Sequence, residues 1–414
     1  MQSIRGVNDF FGDESDRFNE VISRASLVAN NYNFSYLSTP ILEYSHLFER
    51  NLGSDTDVVA KEIYKFTDKS GDEIALRPEF TAGIVRAFCE NPKLKSAKLP
   101  LKLFSHGPLF RYERPQSGRY RQFHQINYEI FGANGVEYDC LILLLARDVI
   151  DALRVENYTC ELNFIGGLEV KNQYISYLNE YFSKYSSELS EDSRNRLAKG
   201  KSLRILDSKD ENDKKIAANA RGIENFYSKE TAQNIEKIVQ FLEDFGVKYS
   251  INRSIVRGLD YYTDMVFEFM CADLASKSQK TLLGGGRYDS LVRDISGGKM
   301  DISAVGFAGG VERLMQISNF SGAKSAKIAI TFVTENEISH AFKVHNAICK
   351  MPEFSGVKCD LIFGYSSVSK RIKKASDIGC DYLVVIGAEE VASGVCKIRS
   401  LGNNLELDGK IVHL

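Results

Sequence analysis

The segment from Leu103 to Gly132 limits the fold more than any other stretch, because its alternation gathers the wrong side chains for an ordinary core strand. With a period of two, Leu109, Arg111 and Glu113 share one face of a first strand, and Phe123, Gln125, Asn127 and Glu129 share one face of a second. Ile126, Tyr128 and Ile130 point the other way, and Arg114 to Gln122 connects the strands with Arg114, Arg119 and Arg121 around Gly118. A polar front of this kind is either a face in water or a site. A solvated face is usually dominated by Lys, Glu and Thr, whereas a guanidinium, carboxylates, amides and a flat ring stand together here. That variety favours a site.

The surroundings are consistent with an antiparallel sheet. An amphipathic helix is predicted from near Asp13 to Asn30-Asn31, with Phe18, Val21, Ile22, Ala25, Val28 and Ala29 on one face, followed by a strand ending at Pro40. Ile63 to Thr67 and Ile74 to Leu76 flank the turn composition Asp68-Lys69-Ser70-Gly71-Asp72, a second hairpin. From about Lys171 to Gln240, polar helical segments alternate with charged connections such as Ser208 to Asp213, which predicts a helical insertion. After Asn319 to Ser325 the pattern becomes strand Ile328 to Val333, helix Ile338 to Cys349, strand Cys359 to Phe363, helix Ser367 to Ile378 and strand Tyr382 to Ile386, a small α/β domain with a largely parallel sheet. The predicted class is α+β, with one domain over 1–320, the insertion at about 171–240 within it, and a second domain over 326–414.

Composition narrows the partners. Lys plus Arg (53) nearly balances Asp plus Glu (55), so no global basic field advertises a nucleic acid, and any RNA contact must come from local patches. Lys370, Arg371, Lys373 and Lys374 form one such stripe, and Lys93, Lys95, Lys98 and Lys102 a less specific one; each is equally readable as a solvated face. The eight cysteines show no zinc or redox spacing and fit reduced thiols in a cytoplasm. The longest apolar run, Cys140 to Ala146, is far too short to span a bilayer, so no membrane partner is expected. The six histidines show no ligand spacing and read as structural or exposed.

Phe110-Arg111-Tyr112-Glu113, a loop, and Arg121-Gln122-Phe123-His124-Gln125 resemble motif 2 of class II aminoacyl-tRNA synthetases. Arg257-Gly258-Leu259-Asp260-Tyr261-Tyr262-Thr263 resembles the histidine-binding segment of the histidyl-tRNA synthetase family, and Gly284 to Asp289 its Gly-rich companion. Ala304 to Leu314 is similar to motif 3, and the strand ending at Pro40 to motif 1, which builds the family's dimer interface. The resemblance runs from Arg5-Gly6 to the C-terminus, and several ordered motifs weigh more than any one. Seen alone, Gly284 to Gly286 could equally be an ordinary turn.

The resemblance implies ATP-dependent activation of histidine and transfer of the histidyl group to the terminal adenosine of its tRNA, by a homodimer whose C-terminal domain binds the anticodon. Arg111 would hold the ATP α-phosphate, where a planar guanidinium matches pairs of oxygens. Glu113 would accept from the adenine amino group, Phe123 would stack on the purine, and Arg313, after its glycines, would meet the γ-phosphate. Glu79, Thr81 and Gln125 would bind the α-amino group, although Thr81 is also placed to cap the following helix. Glu129 and Tyr262 would bond the imidazole nitrogens, with Tyr261 beside them in the histidine site. Arg257 would be catalytic with Arg111, bridging substrate carboxylate and α-phosphate; its alternative is an ion pair with Asp260. Arg119 is expected near ATP, and with Arg121 it has pyrophosphate, the tRNA acceptor end or solvent as candidates. Mg²⁺ would arrive on the ATP phosphates, with no protein metal site. A synthetase-like regulatory subunit of an ATP phosphoribosyltransferase is the alternative function. Phe80 stands where the family often has glycine, Tyr112 replaces a frequent histidine, and Asn127-Tyr128 stand for smaller residues.

Overall fold

The computed structural model describes residues 1–51, 61–113, 119–253, 255, 261–274, 280–319, 326–364, 367–402 and 406–413. Two units separate, residues 1–319 and 320–414.

In the first unit the helix Asp13–Asn31 opens on Asp13, Glu14 and Asp16, which suit the positive end of the helix dipole, and buries Val21, Ala25, Val28 and Ala29. It covers the back of an eight-stranded sheet ordered Ser35–Tyr36, Leu101–Phe110, Gln122–Phe131, Ala304–Gly310, Thr281–Arg287, Thr263–Cys271, Tyr158–Gly166 and Tyr249–Ile251. The five central pairings are antiparallel, as the hairpin reading requires. The two edge strands pair parallel to their neighbours. Ile126, Tyr128 and Ile130 are fully buried on the back, where Tyr128 stacks on Phe307 at 4.7 Å and its hydroxyl donates to the Ala25 carbonyl at 2.9 Å. Helix Val136–Ala152 supplies more of this layer through Ile142, Leu145, Val149 and Ile150.

The second hairpin is present as Lys65–Thr67 and Glu73–Leu76, with Leu42–Tyr44 added to make three strands. Two predicted extents are corrected. The strand expected to end at Pro40 covers only Ser35–Tyr36, because the Thr39 and Pro40 carbonyls instead accept from the Arg77 guanidinium, at 2.7 and 3.4 Å. The first strand of the polar hairpin stops at Phe110, so Arg111 and Glu113 lie just beyond it, although Arg111 N still donates to Arg121 O at 2.9 Å.

Helices Leu168–Ser183, Glu191–Ala198 and Glu211–Ala218, gathered around Val170, Leu178, Phe182, Ile205 and Ile216, and helix Lys229–Asp244, which packs on Val136–Ala152, occupy the interval read as an insertion. The charged run expected to be a connection partly begins a helix: Asp210 accepts from Asn212 N and Asp213 N and caps Glu211–Ala218.

The second unit has Lys358–Leu361, Lys327–Phe332 and Tyr382–Ile386 in parallel, with Arg399–Ser400 antiparallel at one edge. Helices Ile338–Lys350 and Val368–Asp377 pack through Val344 and Ile348, and through Ile372 and Ala375, into two apolar clusters. Arg371 is a correction to the basic stripe. It is buried over the Phe332 ring and donates to Phe332 O at 2.6 Å, which leaves Lys370, Lys373 and Lys374.

Candidate active site

Register builds the site. Across the front of the sheet, Gln125, Asn127 and Glu129 pair with Gly310, Ala308 and Gly306, which leads on to Gly284 and Gly286 of the next strand. A polar row thus lies beside rows of small residues, and the missing side chains leave the space. A Cβ on Gly306 would stand 1.7 Å from Glu129 Oε2 and 2.5 Å from the Tyr128 carbonyl. Gly284 to Gly286 are therefore strand, not turn, and Gly286 combines φ +158° with a Cβ position 2.4 Å from Met265 O.

The resulting pocket has about 420 Å³ of empty space, part of it open to solvent. Its lining brings together Glu79, Thr81, Gln125, Glu129, Tyr261 and Tyr262, all singled out in the sequence for one substrate, and Arg111. Tyr261 and Tyr262 come from the end of the histidine-segment resemblance, their rings 4.7 Å apart. Arg257 lies outside the described residues.

Two buried carboxyl groups dominate. Glu129 accepts from Thr81 Oγ1 at 2.7 Å and from the Tyr288 hydroxyl. Burial pushes its carboxyl up to about 7, against hydrogen bonds from Tyr288, Thr81 and Asn127 and with the neighbouring Glu79 charge adding to the rise. Glu79 is also raised by burial, opposed by the backbone N–H groups of Ala82 and Thr81 and by Arg111. Those N–H groups lie 2.8 and 2.6 Å from its oxygens, so Glu79 caps helix Thr81–Glu90. Thr81 is not the cap: it is the first helical residue, and its hydroxyl serves Glu129.

A raised carboxyl has a definite sign in stability. Between its ordinary value of 4.5 and about 7, folded Glu129 binds a proton that the unfolded chain has released, so its contribution disfavours folding increasingly as pH rises. Glu129→Gln is expected to be more stable than the parent in denaturant unfolding at about pH 8, with the gap closing near pH 5. Equal gaps at both pH values would contradict this.

The second cluster is cationic. Arg111 Nε donates to Pro78 O at 2.9 Å, and its guanidinium lies 5.2 Å from the Phe123 ring centroid. Glu113 Oε2 is 3.2 Å from Arg119 Nε. Arg313, in the first turn of Val311–Ile317 and not on an exposed face, donates to Thr281 O; burial and the nearby Arg119 charge lower its pKa. Two guanidinium groups held near one another suit a polyanion. Arg121 lies over the Tyr112 ring, 4.1 Å from its centroid, and its Nε donates to Glu113 O at 3.4 Å.

Sequence reasoning missed three contributors. Tyr288 enters through its bond to Glu129, which follows from tertiary register; Asn127, which alternation places on the polar face without a role, lines the pocket. Glu312 accepts from His124 N at 2.9 and 3.0 Å and lies 2.8 Å from His124 Nδ1, joining the strand that carries Phe123 and Gln125 to the helix that carries Arg313. Among the described residues no three His, Cys, Asp or Glu side chains converge as a metal site.

Residues 6–314 match the family model described as histidyl-tRNA synthetase, and residues 328–411 match an anticodon binding domain. A histidine–tRNA ligase of Rickettsia bellii (strain RML369-C) is 44% identical over 408 residues, 97% of this chain and 94% of that protein. The apo histidyl-tRNA synthetase of S. aureus superposes with TM-score 0.80 at 25% identity, covering 100% of this chain and 97% of that one. A Bacillus halodurans C structure titled ATP phosphoribosyltransferase regulatory subunit/histidyl-tRNA synthetase shares the fold, with TM-score 0.66, 18% identity and coverage of 94% and 98%. With motifs, pocket and full-length similarity in agreement, the chain belongs to the histidyl-tRNA synthetase family.

Proposed function

We infer that the chain activates histidine with ATP to histidyl-adenylate and pyrophosphate, then transfers the histidyl group to the terminal adenosine of its tRNA. One observation carries the reading most: the buried Glu129 carboxylate, held by Thr81 and Tyr288, shares a pocket with Glu79, Gln125 and Arg111. That arrangement offers acceptors for an imidazole and an ammonium, and a guanidinium for carboxylate and phosphate. A site built on buried hydrogen bonds rejects amino acids that leave them unpaired.

In this reading Glu129 and Tyr262 take the imidazole, Tyr261 walls it, and Glu79, Thr81 and Gln125 take the α-amino group. Arg111 and Arg257 align carboxylate and α-phosphate and stabilise the charge that develops as the carboxylate oxygen displaces pyrophosphate. Phe123 stacks on adenine, Glu113 accepts from its amino group, and Arg313 with Arg119 holds the outer phosphates. Mg²⁺ supplies further phosphate neutralisation when it enters with ATP. The unit at 320–414 binds the anticodon, supported by the family match there. A homodimer is supported by the exposed Leu42, Tyr44 and Phe66 on the three-stranded sheet, and a cytoplasmic place by eight free thiols.

The test is exchange of labelled pyrophosphate into ATP by the purified full chain, with each amino acid supplied separately. Histidine alone should stimulate exchange, and Arg257→Ala should cut it about a hundredfold or more, the scale of one transition-state donor. Stimulation by another amino acid would overturn the assignment, and no exchange from folded protein would favour the regulatory subunit.

A further inference from the structure

Asn127 occupies the middle of the polar row, between Gln125 and Glu129 on strand Gln122–Phe131. It is 1% exposed and lines the pocket, yet its Oδ1 has no hydrogen-bond partner among the described residues. Native interiors rarely leave a buried acceptor unmet, because desolvation then goes uncompensated. The orientation of the amide follows from chemistry: its hydrogen bond holds the Glu129 carboxyl down, as a bond donated to a carboxylate does, so the NH₂ faces Glu129 and the oxygen faces elsewhere. Neither cross-strand neighbour can answer the oxygen. Ala308 has no polar side-chain atom, and the Ser105 hydroxyl already donates to Leu37 O at 2.6 Å.

We propose that Asn127 is a further substrate-binding residue, its Oδ1 accepting a hydrogen bond from an N–H of bound histidine. The inference rests on the histidine-activating reading of the pocket. The surrounding charges agree with an N–H donor. Glu79 and Glu129 make the pocket acidic, Tyr261, Tyr262 and Tyr288 wall it, and Arg111 is the cation among the described lining residues. The same amide would also restrict side-chain size, because it stands in the row that faces the small residues Ala308 and Gly306.

The experiment compares the full-length parent with Asn127→Leu, which keeps the approximate shape, and with Asn127→Ala. Pyrophosphate exchange gives KM and kcat for histidine, and thermal unfolding without substrate gives stability. Both variants are expected to raise KM about tenfold, the worth of one neutral hydrogen bond, with kcat within about twofold. Stability should change little, since removal of the unmet acceptor offsets loss of the amide bond to Glu129; a purely structural residue would lower stability and leave KM unchanged. Two inhibitors assign the donor. If histidinol and imidazolepropionate, the latter lacking the amino group, both weaken, the partner is the imidazole; if only histidinol weakens, it is the ammonium. Unchanged KM in a folded variant overturns the proposal, and so does failure of both variants to fold. A parent that ignores histidine would instead overturn the underlying reading of the pocket.

Discussion

Gly306→Ala is expected to raise the KM for histidine about a hundredfold in pyrophosphate exchange, the scale of a lost hydrogen bond to a charged group. The added methyl group would sit 1.7 Å from Glu129 Oε2 and 2.5 Å from Tyr128 O, and the latter is backbone in the middle of the sheet. The carboxylate must therefore swing away from Thr81 and Tyr288, and overpacking of this kind also costs about 1–3 kcal/mol of stability. Combining Gly306→Ala with Glu129→Asp, which shortens the obstructed side chain, should recover part of the affinity. A single variant with KM within twofold of the parent would show that the glycine is not what makes room for the acid.

Arg287→Ala is expected to lower unfolding free energy by about 3–5 kcal/mol, because it strands a buried charge. Arg287 Nε is 3.0 Å from Asp139 Oδ1, and the guanidinium also donates to Ala133 O at 2.6 Å and Gly135 O at 3.1 Å; both side chains are nearly inaccessible. Burial already pushes Asp139 up to about 6 despite the Arg287 charge, so removal of the arginine raises it further. The folded variant then takes up a proton more readily than the unfolded chain, and its deficit should shrink as pH falls from 8 toward 5. Arg287→Met with Asp139→Leu should restore much of the loss in urea unfolding. A single-variant loss below about 1 kcal/mol would mean that the pair does not brace the strand leading into Tyr288.

The polar hairpin was legible because alternation is a local property: once Glu129 is placed on one face, Gln125 and Asn127 follow, and the structure lines one pocket with all three. The parallel sheet of the second unit was legible for the same reason, its apolar runs and helical faces being local. Glu79 was not legible as a cap, since helix-capping preferences point to Thr81, and only the buried hydroxyl-to-carboxylate bond redirects the threonine. Gly284 to Gly286 carry turn composition, and nothing local says that a neighbouring backbone comes close enough to Gly285 and Gly286 to exclude a Cβ. Arg371 shows the same limit from the other side: helical spacing groups it with lysines, while the Phe332 carbonyl that buries it lies on a distant strand.

The pairing of Ala304–Gly310 with Gln122–Phe131 makes substrate recognition and cohesion hostages to one alignment. Slipping Ala304–Gly310 by one position would send Val305 and Phe307 to the ligand side and turn Gly306 and Ala308 inward, emptying the interior and filling the pocket at once. Folding quality control and catalytic competence therefore coincide here: a misaligned sheet would forfeit the Tyr128–Phe307 stack as well as the acid site, leaving little energetic shelter for a well-packed but inactive form.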